Sequence, residues 1–291
     1  MNAFEQAATR HSALLPPTLA GWVRAHSLEQ VWAPALQTTA AWVASSAPSW
    51  ATEDQRAIAC MDLGTCFFAL DDSPTDAALR RYDDLERVAS GLAPDPSRPL
   101  QAAYVDLFAR LAATGADISH YLALRRDFAR AMRARHSLQT GCRQTSSDAY
   151  LALREVTIYF EPWLSTWELL GGFVLSAMQR ALVFPVFVAA NRWQVLENER
   201  ASLGRDAASG LPNVIALLAC EEEVSISEAT SLVVARADME LAASQAATAA
   251  LRANHTEGPI VRYLDTLADS VAGARRHYER ADPARYSSTT V

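Results

Sequence analysis

The chain has 291 residues, half of them hydrophobic, and only 11 glycines. Alanine and leucine dominate, a helix-forming composition in a chain long enough to bury a large core. The formal net charge of −7 argues against a general nucleic-acid surface.

Apolar residues recur at three- and four-residue spacing along almost the whole chain. This predicts helices near 18–32, 35–46, 53–70, 76–91, 99–113, 116–137, 146–169, 172–190, 190–207, 226–251 and 257–280. The breaks coincide with "LPPT", "APSW", "APDPSRP", "ATGAD", "ASGLPN" and "NHTEGP", where Gly, Pro and Asn cluster. The stretch "VTIYF" at 156–160 is β-like by itself but lies inside a longer helical pattern. No stretch has the composition of a domain linker, and no repeat recurs at solenoid spacing. The expectation is an all-α, single-domain helical bundle spanning 1–291.

The N-terminus carries Glu5 and lacks the apolar core of a signal peptide. The longest apolar run, "ALVFPVFVAA" at 181–190, contains Pro185 and is too short for a membrane span. Cys60, Cys66, Cys142 and Cys220 lack paired spacing, which leaves zinc and disulfide frameworks unsupported and reads as buried free thiols. A cytoplasmic protein is expected. All the basic residues are arginine, a bias that also suits phosphate gripping.

Four constellations carry chemistry. In "FFALDDSPTD" at 67–76, Asp71, Asp72 and Asp76 crowd behind an apolar run. Like charges this close repel, and bunched carboxylates suit magnesium, a hard cation with oxygen ligands. The alternative is a set of acids favoured by the dipole of a helix starting near Thr75. A second acidic pair, Asp83 and Asp84, is flanked by Arg80, Arg81 and Arg87 and reads as a solvated, ion-paired face. In "YLALREVTIYFEPW", Arg154 lies on an aromatic-rich helix, where a surface ion pair with Glu155 or Glu161 is the ordinary expectation. In "NERASLGRD" at 198–206, Asn198, Ser202 and Asp206 fall at i, i+4 and i+8. On a helix their three oxygen-bearing side chains share one face, a candidate second magnesium site beside Arg205; a plain polar face is the alternative. The pair Arg285 and Tyr286 stands near the C-terminus, where frayed tails are common.

In their order and spacing these pieces resemble the class I terpene synthases, the bacterial terpene cyclases in particular. The resemblance covers about 60–286. It rests on Asp71-Asp72-Ser73-Pro74-Thr75-Asp76 as the aspartate-rich motif and on "YLALR" ending at the diphosphate sensor Arg154. Asn198, Ser202 and Asp206 form the later triad, and Arg285-Tyr286 the terminal pair. The chain departs from the pattern at Asp206, where the family has glutamate, and at Glu199, where it has aspartate. It departs again at Tyr278, where a tryptophan is usual. Another run, Asn213, Leu217 and Glu221, has the triad's spacing but lacks the hydroxyl.

The resemblance implies that both motifs serve one diphosphate through three Mg2+ ions. Asp71, with Asp72 and Asp76, would hold metal at the first motif, and Asn198, Ser202 and Asp206 another ion. Arg154, Arg205, Arg285 and Tyr286 would grip diphosphate oxygens. Downstream of Arg154 the family often has a small residue whose backbone helps trigger ionisation; the resemblance puts Ile158 there, between Thr157 and Tyr159. The allylic cation needs a dry cavity walled by aromatic faces. Phe67, Phe68, Tyr159, Trp163, Trp167, Trp193 and Tyr278 are the aromatic candidates, with Thr157 and Ile158 beside them on the cavity, and ordinary core packing is the alternative for each aromatic.

The implied function is Mg2+-dependent ionisation of C15 farnesyl or C20 geranylgeranyl diphosphate and cyclisation of the cation. A bicyclic C20 diphosphate supplied by a partner class II cyclase is an alternative substrate. The family often forms homodimers. Rival chemistries fit less well. The segment Ala69-Leu70-Asp71-Asp72 lacks the first acid of the class II D-x-D-D motif, the second aspartate-rich motif of chain-elongating prenyltransferases is missing, and no His-Asp pairs suggest a phosphohydrolase. A non-catalytic helical partner-binding module is the rival of another class.

Overall fold

The computed structural model describes residues 17–32, 36–65, 76–140 and 145–279. The described residues are helical almost throughout, and none of them forms a β-strand. In chain order the helices are α1 (Pro17–Ala25), α2 (Glu29–Trp32), α3 (Leu36–Ser46), α4 (Glu53–Leu63), α5 (Asp76–Ala89), α6 (Pro99–Ala112) and α7 (Ser119–Thr140). There follow α8 (Ser147–Thr157), α9 (Phe160–Gly171), α10 (Ala177–Ala208), α11 (Val214–Glu221), α12 (Ile226–Asn254) and α13 (Pro259–Glu279). Among the described residues no helix is long and apolar enough to cross a membrane. The all-α expectation holds. Contacts cluster into two compact units, Met1–Arg133 with Glu161–Val174, and Ala134–Phe160 with Leu175–Val291.

The first unit is organised around buried charge as well as apolar packing. Asp62, on α4, is fully buried. One of its oxygens accepts hydrogen bonds from the Tyr121 hydroxyl (2.7 Å) and Arg125 Nη2 (2.9 Å), and the other accepts from the Thr166 hydroxyl (2.7 Å). A carboxylate out of water must be paired and fully hydrogen-bonded; meeting that demand ties α4 to α7 and α9. Asp83 and Asp84 divide differently from the solvated face expected of them. Asp84 is buried and accepts from Arg98 and Gln101, both at 2.6 Å, while Asp83 is exposed and accepts from Arg133 at 3.0 Å. Burial pushes the Asp84 carboxyl above its usual value against the lowering effect of those two partners. Its arginine, Arg98, stands at the N-cap of α6 rather than on α5, because Asp84 faces inward on α5.

The second unit is built on α10 and α12. Ser244 donates to the Val186 carbonyl (3.2 Å) and Arg192 approaches Glu240 (3.9 Å), so the two helices run antiparallel. The face of α12 that they bury is small: Ala229, Val233, Ala237 and Ser244, spaced to lie along one stripe. The sequence suggested two helices meeting at 190. One 32-residue helix forms instead, with Pro185 inside it. Burying Val183, Val186, Phe187, Ala190 and Trp193 along a continuous face outweighs the missing N–H of one proline. Of the cysteines, Cys60 is buried, which pushes its thiol up to about 12, but Cys220 is exposed; Cys66 and Cys142 lie outside the described residues.

Gly64 follows α4 with ordinary helical dihedrals, so its value is space rather than conformational freedom. A Cβ there would stand 2.2 Å from the ring of Trp32, which is itself fully buried. Gly64→Ala is therefore expected to destabilise the protein by about 1–3 kcal/mol, read as a lower denaturant midpoint with an unchanged slope.

Candidate active site

Asn198, Ser202 and Asp206 lie on α10 as their spacing requires, with Ser202 and Asp206 buried. The Ser202 hydroxyl donates to Asp206 Oδ2 at 2.6 Å. Asn213 Nδ2 donates to the same oxygen at 3.0 Å and to the Glu199 carbonyl at 2.8 Å. The other carboxylate oxygen of Asp206 accepts from Nε (3.2 Å) and Nη2 (3.1 Å) of its neighbour Arg205. The predicted hydroxyl–carboxylate pair and the predicted arginine thus meet around one residue.

Arg154 is not the surface residue that local sequence suggests. It is buried, and its three nitrogens face three different partners. Nε donates to Glu199 Oε1 at 2.6 Å, Nη1 to the Thr157 hydroxyl at 3.0 Å and Nη2 to Asn198 Oδ1 at 2.7 Å. Glu155, the expected partner, pairs instead with Arg192 at 2.9 Å. Glu199, itself buried, turns its second oxygen to the Val214 amide (2.9 Å), the first residue of α11. Asn213 caps that helix by accepting from the Ile215 amide at 3.0 Å. A sensor candidate and a triad candidate, 44 residues apart, are therefore in direct contact.

Helix α8 ends three residues after Arg154. The continuous helix expected over 146–169 is interrupted at Ile158 and Tyr159, and Tyr159 adopts φ = 70°. A non-glycine residue in this region carries strain on the order of 1–3 kcal/mol, and the β-branched run Val156-Thr157-Ile158 weakens the helix just before it. The bend puts Thr157 at the last helical position, beneath the Arg154 guanidinium.

The remaining predicted residues divide by location. Asp71, Asp72, Phe67, Phe68, Arg285 and Tyr286 lie outside the described residues, as does the side chain of Asp76, whose backbone opens α5. Trp163 and Trp167 stack edge-to-face at 5.3 Å, and Trp50 meets Trp167 at 5.8 Å within the first unit. Tyr159, Trp193 and Tyr278 are buried in the second. Residue-level reasoning missed two members. Glu199 and Asn213 were visible as a departure from a motif and as a rejected triad; the capping signal of an asparagine before "VIALL" was the clue to the second.

The donor set fits a hard divalent cation. An amide oxygen, a hydroxyl and a carboxylate are all oxygen ligands, with no thiolate or imidazole among them. Among the described residues no group of three or more His, Cys, Asp or Glu could hold a metal. A site here would therefore take its remaining ligands from phosphate and water, as magnesium commonly does.

Tyr150 closes the back of the network. It is fully buried and donates to the Pro212 carbonyl at 2.8 Å. Burial, with help from the Glu199 charge, pushes its phenol from 10.0 up to about 12. The unfolded chain loses this proton near pH 10 while the folded chain keeps it to about 12. The unfolded state binds fewer protons in that window, so stability present below pH 10 falls as pH rises, by up to about 3 kcal/mol. Tyr150→Phe is expected to cost about 1–2 kcal/mol at pH 7 through the lost hydrogen bond and to flatten the alkaline limb in pH-dependent urea melts.

Comparison with known proteins gives this site its context. Residues 65–243 match the family model of terpene synthase family 2, C-terminal metal binding. The chain is similar in fold to linalool/nerolidol synthase from Streptomyces clavuligerus in complex with 2-fluorogeranyl diphosphate, at 18% identity and a TM-score of 0.78 over 96% of this chain and 94% of that one. It is similar to 2-methylisoborneol synthase from Streptomyces coelicolor A3(2) in complex with Mg2+ and geranyl-S-thiolodiphosphate, at 17% identity and a TM-score of 0.79 over 98% and 93%. Germacradien-4-ol synthase from Streptomyces citricolor gives 19% identity and a TM-score of 0.74 over 95% and 93%. No curated protein matches the chain by sequence. The chain belongs to terpene synthase family 2 and is a class I terpene synthase, a lyase acting on prenyl diphosphates.

Proposed function

We propose that this enzyme ionises an acyclic prenyl diphosphate, C15 farnesyl or C20 geranylgeranyl diphosphate, and cyclises the allylic cation, with residues 1–291 acting as one catalytic domain. The observation that carries the reading is the contact of buried Arg154 with Asn198, which joins an anion-gripping guanidinium to an oxygen triad suited to Mg2+. Two neighbours in fold were solved with geranyl-type diphosphate analogues, one of them with Mg2+, which supports the same leaving group here.

Asn198, Ser202 and Asp206 would hold one of three ions, and Asp71, with Asp72 and Asp76, the others. When bound, Mg2+ supplies Lewis-acid stabilisation of the departing diphosphate. Arg154 and Arg205 would each turn a nitrogen toward a diphosphate oxygen, and Arg285 and Tyr286 would add donors as the resemblance implies. Such donors would oppose the charge that develops as the carbon–oxygen bond breaks. Two ion pairs flank the triad, Arg154 with Glu199 and Arg205 with Asp206. A divalent ion alone adds uncompensated positive charge, so ion and diphosphate favour each other's binding. The bend at Thr157-Ile158-Tyr159 supplies helix-terminal backbone next to Arg154, which suits Ile158 as the ionisation trigger. Trp193, Tyr278 and the Tyr159 ring, with Phe67, Phe68, Trp163 and Trp167, would wall the cavity and exclude water.

The test is incubation with Mg2+ and C10, C15, C20 and C25 diphosphates, with products read by mass spectrometry. Cyclised C15 or C20 hydrocarbon or alcohol is expected, and a metal chelator abolishes it. Asn198→Ala and Asp206→Ala are each expected to lower kcat/KM by about 100-fold or more. Folded protein that returns every substrate unchanged would contradict the proposal, as would turnover confined to a bicyclic C20 diphosphate for its substrate class.

A further inference from the structure

The turn that starts α11 touches both halves of the candidate site without facing a ligand itself. The Val214 amide donates to Glu199 Oε2 (2.9 Å), whose Oε1 takes Arg154 Nε (2.6 Å). The preceding residue, Asn213, donates to Asp206 Oδ2 (3.0 Å) and to the Glu199 carbonyl (2.8 Å). We propose that Glu199 and the Asn213-Val214 turn form a positioning bracket that sets the Arg154 guanidinium and the Asp206 carboxylate in register for one diphosphate–Mg2+ unit.

The inference rests on the reading of Arg154 and the α10 triad as diphosphate and metal ligands, and it concerns residues to which that reading gives no role. Its physics is that of a fork held by its stem. With Nε fixed on Glu199, the guanidinium plane is set, and only Nη1 and Nη2 can exchange partners. Those two nitrogens now rest on Thr157 and Asn198. Asn198 Oδ1 is also the oxygen that the metal would claim, so the same movement that gives Arg154 to a diphosphate oxygen frees Asn198 for the ion. Glu199 stays behind, anchored by the Val214 amide, and keeps a charge partner on the arginine throughout. On the other arm, Asp206 is one methylene shorter than the family's glutamate. Two donors on its Oδ2, Ser202 and Asn213, hold that oxygen in place.

Three variants test the bracket without touching a proposed ligand. Val214→Pro removes the amide donor and exchanges a buried valine side chain for a ring of similar size. Proline is favoured at the first helical position, and Asn213 has φ −142° and ψ 139°, the conformation a residue before proline prefers. Glu199→Gln keeps the side chain's size but sets an NH2 against either Arg154 or the Val214 amide. Asn213→Ser keeps a capping hydroxyl and removes the amide donor to Asp206.

The readout is calorimetric titration of inorganic diphosphate at saturating and at limiting Mg2+, with metal-free melting as the control for folding. Val214→Pro and Glu199→Gln are expected to weaken diphosphate binding about tenfold and to lower kcat more than they raise KM. Asn213→Ser is expected to raise several-fold the Mg2+ concentration that gives half-maximal binding. Variants that melt normally and bind diphosphate as tightly as the parent overturn the bracket alone. A parent protein that binds no diphosphate with Mg2+ overturns the site assignment and the bracket with it.

Discussion

The candidate site depends on one buried ion pair, Arg154 with Glu199, at 2.6 Å and with both residues withdrawn from solvent. Such a pair gains little net stability, because desolvation consumes most of the attraction, yet deleting one partner costs about 3–5 kcal/mol. It constrains strongly while stabilising weakly, which suits a group that must be charged and correctly aimed before an anion arrives. From it follow the contact of α8 with α10, the exposure of two arginine nitrogens to polar partners, and the anchoring of α11 through the Val214 amide.

The first unit uses the same device for another end. Asp62 and Arg125 are buried as an ion pair at 2.9 Å, and two hydroxyls also donate to the carboxylate. Asp62 stands on the helix that precedes the aspartate-rich motif in the chain. Here Tyr121, Arg125 and Thr166 all donate from helices that pack together, and the pair fixes how α4, α7 and α9 meet. In the second unit a guanidinium nitrogen and an amide oxygen that hold each other are both groups a metal diphosphate would recruit. The contrast separates a structural buried charge from one that the proposed function would have exchange partners.

Much of this was legible in the sequence. The i, i+4, i+8 spacing of Asn198, Ser202 and Asp206 needs only helical geometry to put three oxygens on one face. The order of Arg154 and the triad pointed to the family that the comparisons support. What local patterns could not supply were contacts between distant segments. Arg154 has two glutamates nearby in sequence, Glu155 and Glu161, yet the carboxylate on its Nε lies 45 residues away. Tyr159 at positive φ carries no sequence signature, because glycine would be the usual choice. The boundary expected at 190 was overridden by the continuous buried face of α10. The capping signal of Asn213 went unread, and its second task on Asp206 depends on how α11 folds back on α10.

The most direct test is a crystal structure of the protein with Mg2+ and inorganic diphosphate. The account predicts an ion on Asn198 Oδ1, Ser202 Oγ and the Asp206 carboxylate. It also predicts Arg154 Nη2 on a diphosphate oxygen and Nε still on Glu199. An unbroken Arg154–Asn198 hydrogen bond, with diphosphate bound elsewhere and no ion on the triad, would contradict it.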